Sequence, residues 1–179
     1  MFCDTVKTER LLLRQPLIGD ADRIVALLNN WNVVSMLARA EYPYGRADAE
    51  AFLARAARRT NAADDVVYAI TIGTDFAGIV SISPLSRGPN LGYWLGEPYW
   101  GRGYMTEAVG AIIAEFFRQP GNQALVSGVF RGNDASLAVQ HKFGFEVTGE
   151  SSVMCVARGE MVEHVDTRLA RQKYKELKS

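Results

Sequence analysis

Residues 98–106 read Pro98-Tyr99-Trp100-Gly101-Arg102-Gly103-Tyr104-Met105-Thr106, and the rest of the chain is arranged around them. A strand-like run, Leu91-Gly92-Tyr93-Trp94-Leu95, stops just before this stretch, and a helical pattern over 105–118 starts inside it. Two glycines two residues apart let the backbone take unusual angles and leave no side chain between the amide N–H groups and a ligand. A helix starting there offers unpaired N–H donors and the positive end of its dipole. Together these form a cradle for an anion, read as a pyrophosphate. Gly-x-Gly between a strand and a helix is also often only a tight turn. Two nucleotide motifs are excluded: there is no Gly-x-x-x-x-Gly-Lys-Ser/Thr, and Thr106 sits where Gly-x-Gly-x-x-Gly needs its third glycine.

Working outward, the helix after the loop carries Met105, Ala108, Val109, Ile112 and Phe116 on one stripe, and Pro120-Gly121-Asn122 ends it. Residues 125–129 read as a short strand, so strand, helix and strand in succession imply a right-handed parallel crossover. Upstream, residues 66–72 and 77–82 form a hairpin about Gly73-Thr74-Asp75, and residues 83–90 are a longer turn. Gly96 marks a bulge or bend. Residues 8–14 read as a first strand ending before Pro16. Asp20 is placed to cap a helix bearing Ile24, Leu27 and Leu28. A short helix over 31–36 and a longer one over 46–60 follow. Downstream, Asn133 is a helix N-cap, Gly144 ends that helix, residues 145–156 and 160–169 are paired strands, and 173–179 is a charged tail.

The chain has 179 residues, 48% of them hydrophobic, enough for one domain over 1–179 with a full core. Twenty basic residues balance twenty acidic ones, which argues against nucleic acid and mildly against a strongly polycationic partner. Cys3 and Cys155 make no disulfide framework and fit a reducing cytoplasm. No apolar run reaches the about 20 residues of a membrane span, and neither a membrane nor a signal peptide is expected. No metal constellation is visible: there is no His-Glu-x-x-His and no cysteine pair.

Tyr-Trp-Gly-Arg-Gly-Tyr-Met-Thr-Glu-Ala, residues 99–108, resembles the acetyl-coenzyme A loop of the GNAT N-acetyltransferase superfamily, and most of all its RimJ/RimL-like branch, which acetylates the N-termini of ribosomal proteins. In the superfamily pattern Arg/Gln-x-x-Gly-x-Gly/Ala, Trp100 stands at the first position, Gly103 at the central glycine and Met105 at the usual small residue. The opening Thr8-Glu9-Arg10-Leu11-Leu12-Leu13-Arg14 resembles the branch's usual start. A second motif, Asn133-x-x-Ser136 followed by Lys142-Phe143-Gly144-Phe145, also matches the branch in order and spacing. The resemblance covers nearly the whole chain and is weakest over 31–61.

What the resemblance implies is an α+β (mixed α/β) acyl-CoA N-acyltransferase fold: a twisted mixed sheet of about seven strands with helices on both faces. It implies a cytoplasmic, bacterial-type transferase, monomer or homodimer, using acetyl-CoA. An amine, on a peptide or small molecule, attacks the thioester directly. The strand before the loop diverges from its neighbour to admit the pantetheine arm. The cofactor-binding residues implied are Trp94, Leu95, Gly96, Trp100, Gly101, Arg102, Gly103, Tyr104, Met105, Thr106, Asn133, Ser136 and Lys142. A backbone N–H near Leu95 or Gly96 serves the oxyanion. Ser136 is the catalytic residue that serves the leaving thiolate.

The general base stays open among Glu97, Glu150, Glu160, Glu163 and water. Of the two histidines, His141 reads as a surface residue. Trp31, Tyr42, Tyr44 and Tyr93 supply aromatic surface for an acceptor wall. Two rival readings remain: an acyl-CoA-binding sensor or scaffold that has lost catalysis, and a plain α/β domain holding another phosphate ligand.

Overall fold

Strand β3 (Val66–Ile72) is apolar along most of its length and buried on both faces, the signature of a strand covered from two sides. In the computed structural model, which describes residues 2–61, 64–86 and 88–178, it lies at the centre of a five-stranded antiparallel sheet. The sheet order is β1 (Thr5–Lys7), β2 (Leu12–Arg14), β3, β4 (Asp75–Ile82) and β5 (Leu91–Leu95). Alternate residues feed two cores. Leu13, Ile70, Val80 and Ile82 pack with Val109, Ile112, Ile113 and Phe116 of helix α4 (Tyr104–Arg118). Val67, Ala69 and Ile79 pack on the other face with Ile24 and Leu27 of α1 (Ala21–Leu28) and with Leu53 and Ala56 of α3 (Arg46–Asn61). A short α2 (Trp31–Val34) lies between these helices.

The second half is a three-stranded antiparallel sheet in the order β6 (Ala124–Phe130), β8 (Glu160–Ala170), β7 (Glu146–Cys155), with α5 (Asp134–Lys142) between β6 and β7. Among the described residues a single parallel bridge, Asn90 with Val126, joins the two sheets. The α/β class with helices on both faces stands. Among the described residues there are eight strands rather than about seven, in two antiparallel sheets. The extra strand is β1, upstream of the expected strand over 8–14, of which only Leu12–Arg14 is strand. Thr8 N–H donates to Leu11 O at 3.0 Å and Leu11 N–H returns to Thr8 Oγ1 at 3.0 Å, a tight turn that separates β1 from β2.

Two further expectations are corrected. Asp20 stands at the start of α1 but makes no side-chain cap. Its carboxylate turns back onto Arg14, with Nη1 at 2.8 Å and Nη2 at 2.7 Å, and accepts Leu17 N–H at 2.7 Å. The charged tail is helical over Arg171–Glu176, α6. Arg171 caps the end of α4, donating to the Phe117 and Asn122 carbonyls at 2.8 and 2.6 Å and to Gln119 O. Arg87, in the turn over 83–90, and Ser179 lie outside the described residues. Among the described residues no helix is long and apolar enough to cross a membrane.

Candidate functional site

The place where the two sheets part is fixed by a chain of buried polar groups. Thr167 Oγ1 donates to Gln140 Oε1 at 2.6 Å, Gln140 Nε2 donates to Ser127 Oγ at 3.0 Å, and Ser127 Oγ donates to Leu91 O at 2.8 Å. This chain links β8, α5, β6 and β5. All three side chains are buried, so satisfying them holds the junction in one arrangement. Beyond Leu91 the strands β5 and β6 diverge.

Strand β5 turns a free edge toward that gap. Ser83 N–H donates to Asn90 O and Gly96 N–H to Ala77 O. Hydrogen-bonded and non-hydrogen-bonded pairs alternate in an antiparallel ladder. The backbone groups of Leu91, Tyr93 and Leu95 therefore point away from β4. Leu91 O is taken by Ser127, and Leu95 O accepts Trp100 Nε1 at 2.6 Å. The N–H and C=O of Tyr93 and the N–H of Leu95 face the gap. Of the two oxyanion donors anticipated from sequence, Gly96 is thus excluded because its N–H is already bonded within the sheet. Its missing side chain has another use: a Cβ there would come within 2.6 Å of Leu27 Cδ2, so the glycine lets α1 pack close.

The glycine loop stands at the mouth of the gap. Gly101 and Gly103 have φ of +72° and +77°, and Gly103 is the N-cap of α4. No acceptor among the described residues meets the N–H groups of residues 101–106. The first satisfied donor is Glu107 N–H, on Gly103 O. The loop is braced from the β1–β2 turn. Arg10 Nη1 donates to Arg102 O at 2.8 Å, Arg10 Nε reaches Glu107 Oε2 at 2.7 Å, and Thr8 Oγ1 and Arg10 N–H both donate to Glu107 Oε1. Arg10 also lies over the Tyr104 ring. Burial pushes the Glu107 carboxyl up, but the bonds from Thr8 and Arg10 outweigh it and hold the group below its usual range. These bracing residues escape sequence reading because they lie about a hundred positions apart along the chain.

Asn133 caps α5, its Oδ1 accepting Ser136 N–H at 3.2 Å. Ser136 Oγ donates to the Tyr93 hydroxyl at 2.9 Å, and Tyr93 donates to Ser136 O at 3.0 Å. Tyr93, expected on the acceptor wall, therefore faces α5 instead. Even-numbered β5 residues point to the opposite face, as Trp94 does against Phe76. Burial raises the Tyr93 phenol above its ordinary value, against smaller pulls from Ser136 and Gln140, so it keeps its proton at neutral pH.

A cavity of about 1530 Å³ runs through the gap. Gly101, Gly103, Tyr104, Met105, Thr106, Asn133, Ser136 and Lys142 line one side, and Leu28, Trp31 and Tyr44 the other. Trp31 meets Tyr42 edge-on at 5.3 Å, both half exposed. Tyr44 is mostly core, and burial raises its phenol. The tip of the β7–β8 hairpin closes the cavity, with Arg158 Nε on Ser35 O at 2.8 Å and Val156 N–H on Ala38 O.

The glutamates proposed as base each have partners or lie on the exposed surface. Glu97 accepts the side-chain amides of Asn30 and Asn32, which hold it below the usual carboxylate range. Glu150 and Glu163 both pair with Arg131 on the exposed surface. Glu160 opens β8 at the exposed hairpin tip. His164, noted in the sequence only as one of two histidines, lines the cavity, and its Nδ1 lies 2.8 Å from Asp166 Oδ1. His-x-Asp in a strand was the available signal, because residues two apart share a face.

The Acetyltransferase (GNAT) domain model matches residues 10–146. An uncharacterized N-acetyltransferase of Schizosaccharomyces pombe is 33% identical over 91 residues, 46% of this chain, and the match spans about half, 48%, of that relative's length. Solved structures with similar folds include two acetyltransferases, one seen with coenzyme A and one with acetyl-CoA. RimL, a ribosomal-protein alpha-N-acetyltransferase in complex with coenzyme A, superposes with a TM-score of 0.82 at 18% identity over 93% of this chain and 97% of its own. The microcin self-immunity acetyltransferase MccE, in complex with acetyl-CoA and AMP, gives 0.80 at 20% identity over 91% and 93%. With a family match across more than half of its length, the chain belongs to the GNAT acetyltransferase family.

Proposed function

We propose that the protein, as a single domain, transfers an acetyl group from acetyl-CoA to the primary amine of a peptide N-terminus or a small molecule. One observation carries this reading: the free edge of Tyr93 and Leu95 faces a gap whose mouth is the row of unsatisfied N–H groups over 101–106. The cradle fits a diphosphate, since Gly101 faces open space and a Cβ on Gly103 would sit against Arg10. Bound there, acetyl-CoA supplies the thioester.

The chain's own groups divide the work. The amides of 101–106 hold the diphosphate, with Lys142 and Asn133 beside it. The Tyr93 backbone pairs with the pantetheine arm as one more strand. Leu95 N–H stabilises the oxyanion. Ser136, held by Tyr93, gives its proton to the departing sulfur. Trp31, with Tyr42 behind it, walls the acceptor side.

The test is release of coenzyme A thiol from acetyl-CoA with a panel of N-terminal peptides and amines, alongside thermal stabilisation by acetyl-CoA. Stabilisation and amine-dependent release are expected. Stabilisation without release on any amine would favour the sensor reading instead, and no stabilisation by any coenzyme A ester would remove both.

A further inference from the structure

With acetyl transfer in this cavity as the reaction on which it rests, we infer that His164 is the general base that deprotonates the incoming amine and that Asp166 orients it. Acetyl transfer to an amine that arrives protonated needs a base. Glu97 is held by the Asn30 and Asn32 amides and Glu150 and Glu163 by Arg131, whereas His164 lines the cavity with one ring nitrogen unpartnered among the described residues. A carboxylate only accepts hydrogen bonds, so in the neutral ring the contact at 2.8 Å assigns the proton to Nδ1 and the lone pair to Nε2. Nε2 has no hydrogen-bond partner among the described residues. Asp166 is itself fixed by Ser151 Oγ at 3.0 Å on the same oxygen. Phe130 meets the imidazole edge-on at 5.9 Å, a second restraint on the ring.

The position of the ring follows from strand register. His164 pairs with Phe130 and Asp166 with Gly128. The imidazole lies over Gly128, where a Cβ would come within 2.1 Å of Cε1 and 2.8 Å of Nε2. On β6, Leu125 and Ser127 face α4 and α5, so Gly128 and Phe130 face the other way. On β5, Gly92 and Trp94 face that same opposite side. Counting from the bridge Asn90–Val126, Gly92 and Gly128 stand level with each other on either side of the gap. Gly128 leaves room for the imidazole on this face, and β5 and β6 do not pair beyond the bridge, which leaves the gap between them open at this level. The Ser136–Tyr93 pair lies on one face of it and His164 on the other. Acid and base thus reach the gap from opposite faces of the sheet, so the base on the amine and the acid on the sulfur do not compete for one position.

The step balances as follows. Nε2 takes one proton from the ammonium group, and the freed lone pair forms the C–N bond. The C–S bond breaks with its electron pair passing to sulfur, which takes the Ser136 proton. The second proton shed by nitrogen restores the Ser136 hydroxyl through solvent, and the imidazolium releases its proton to water, so one proton is lost per turnover.

The test uses full-length protein with tetrapeptides bearing free Ala, Ser and Met N-termini, following whichever gives the fastest coenzyme A release. His164→Ala should lower kcat by about a hundredfold or more, with stabilisation by acetyl-CoA unchanged. Added imidazole should restore part of the rate to His164→Ala and none to Asp166→Asn, which keeps its ring but loses the orientation. His141→Gln, on the exposed face of α5, should behave as wild type. Wild-type kcat in His164→Ala would overturn the assignment while leaving acetyl transfer intact. So would a loss of kcat accompanied by loss of acetyl-CoA stabilisation and no imidazole rescue. No release by the wild type on any probe would remove acetyl transfer and this role with it.

Discussion

Ser136 and Tyr93 hold each other in a closed pair: the serine hydroxyl donates to the phenol oxygen at 2.9 Å, and the phenol donates to the serine's own carbonyl at 3.0 Å. The pair joins the start of α5 to the free edge of β5. Each hydroxyl is therefore positioned in part by the other, with Gln140 also acting on the Tyr93 phenol.

Ser136→Ala should lower turnover about a hundredfold while leaving acetyl-CoA affinity nearly unchanged. Tyr93→Phe should lower it less, because the serine keeps its proton. The double variant should be no worse than Ser136→Ala, since both act on one proton transfer. Steady-state kinetics beside calorimetric binding checks this, and additive losses would show two separate roles.

Arg10→Ala removes the brace on Arg102 O and on Glu107. The loop amides then lose their fixed direction. Acetyl-CoA affinity should fall about tenfold, equivalent to about 1.4 kcal/mol, with little change in the urea midpoint, because Arg10 lies at the surface. Titration calorimetry on the purified variant measures the first effect and urea denaturation the second.

Gln140→Leu breaks the buried chain at its centre. Thr167 Oγ1 loses its acceptor and Ser127 loses a donor in a buried setting. The expected cost is about 2 kcal/mol in urea denaturation. Acetyl-CoA binding should weaken as well, since the junction at Leu91 sets where the gap opens.

Asp20 carries a pH signature. Burial pushes its carboxyl up, but the Arg14 hydrogen bonds, the Leu17 N–H and the Arg14 charge together hold it below its ordinary value. A depressed folded pKa gives stability that is present above the unfolded aspartate value of about 3.9 and is lost as pH falls through the lower folded value. Urea midpoints measured from about pH 6 to about pH 3 should fall over that window. Asp20→Asn should start lower by about 2 kcal/mol and lose that part of the slope.

Much of the fold was legible because it is written locally. The run over 91–95, the glycine turn and the stripe of Met105, Val109 and Ile112 specify strand, loop and helix with their neighbours alone. The hairpin of β3 and β4 and the end of α4 at Pro120 are local in the same way. What escaped depends on distant partners. Thr8 makes a turn rather than a strand because Glu107 holds its hydroxyl. Asp20 abandons its cap for Arg14. Tyr93 looks like an acceptor-wall aromatic until register shows that odd-numbered β5 residues face α5. The parting into two sheets, rather than one, could not be read because it is set by Ser127, Gln140 and Thr167, three polar residues from three elements.

Gly103→Val tests the cradle itself. A branched residue at φ +77° is strained, and its side chain would stand among the amides against Arg10. Acetyl-CoA stabilisation should vanish while the protein stays folded by circular dichroism. Unaltered stabilisation would move the diphosphate site elsewhere.

A crystal structure of the protein with coenzyme A is the most direct measurement. The diphosphate should lie on the amides of residues 101–106, the pantetheine arm should pair with the Tyr93 backbone between β5 and β6, and the sulfur should end beside Ser136. Coenzyme A bound at another surface, or β5 and β6 zipped together along their length with the ligand outside, would contradict the account.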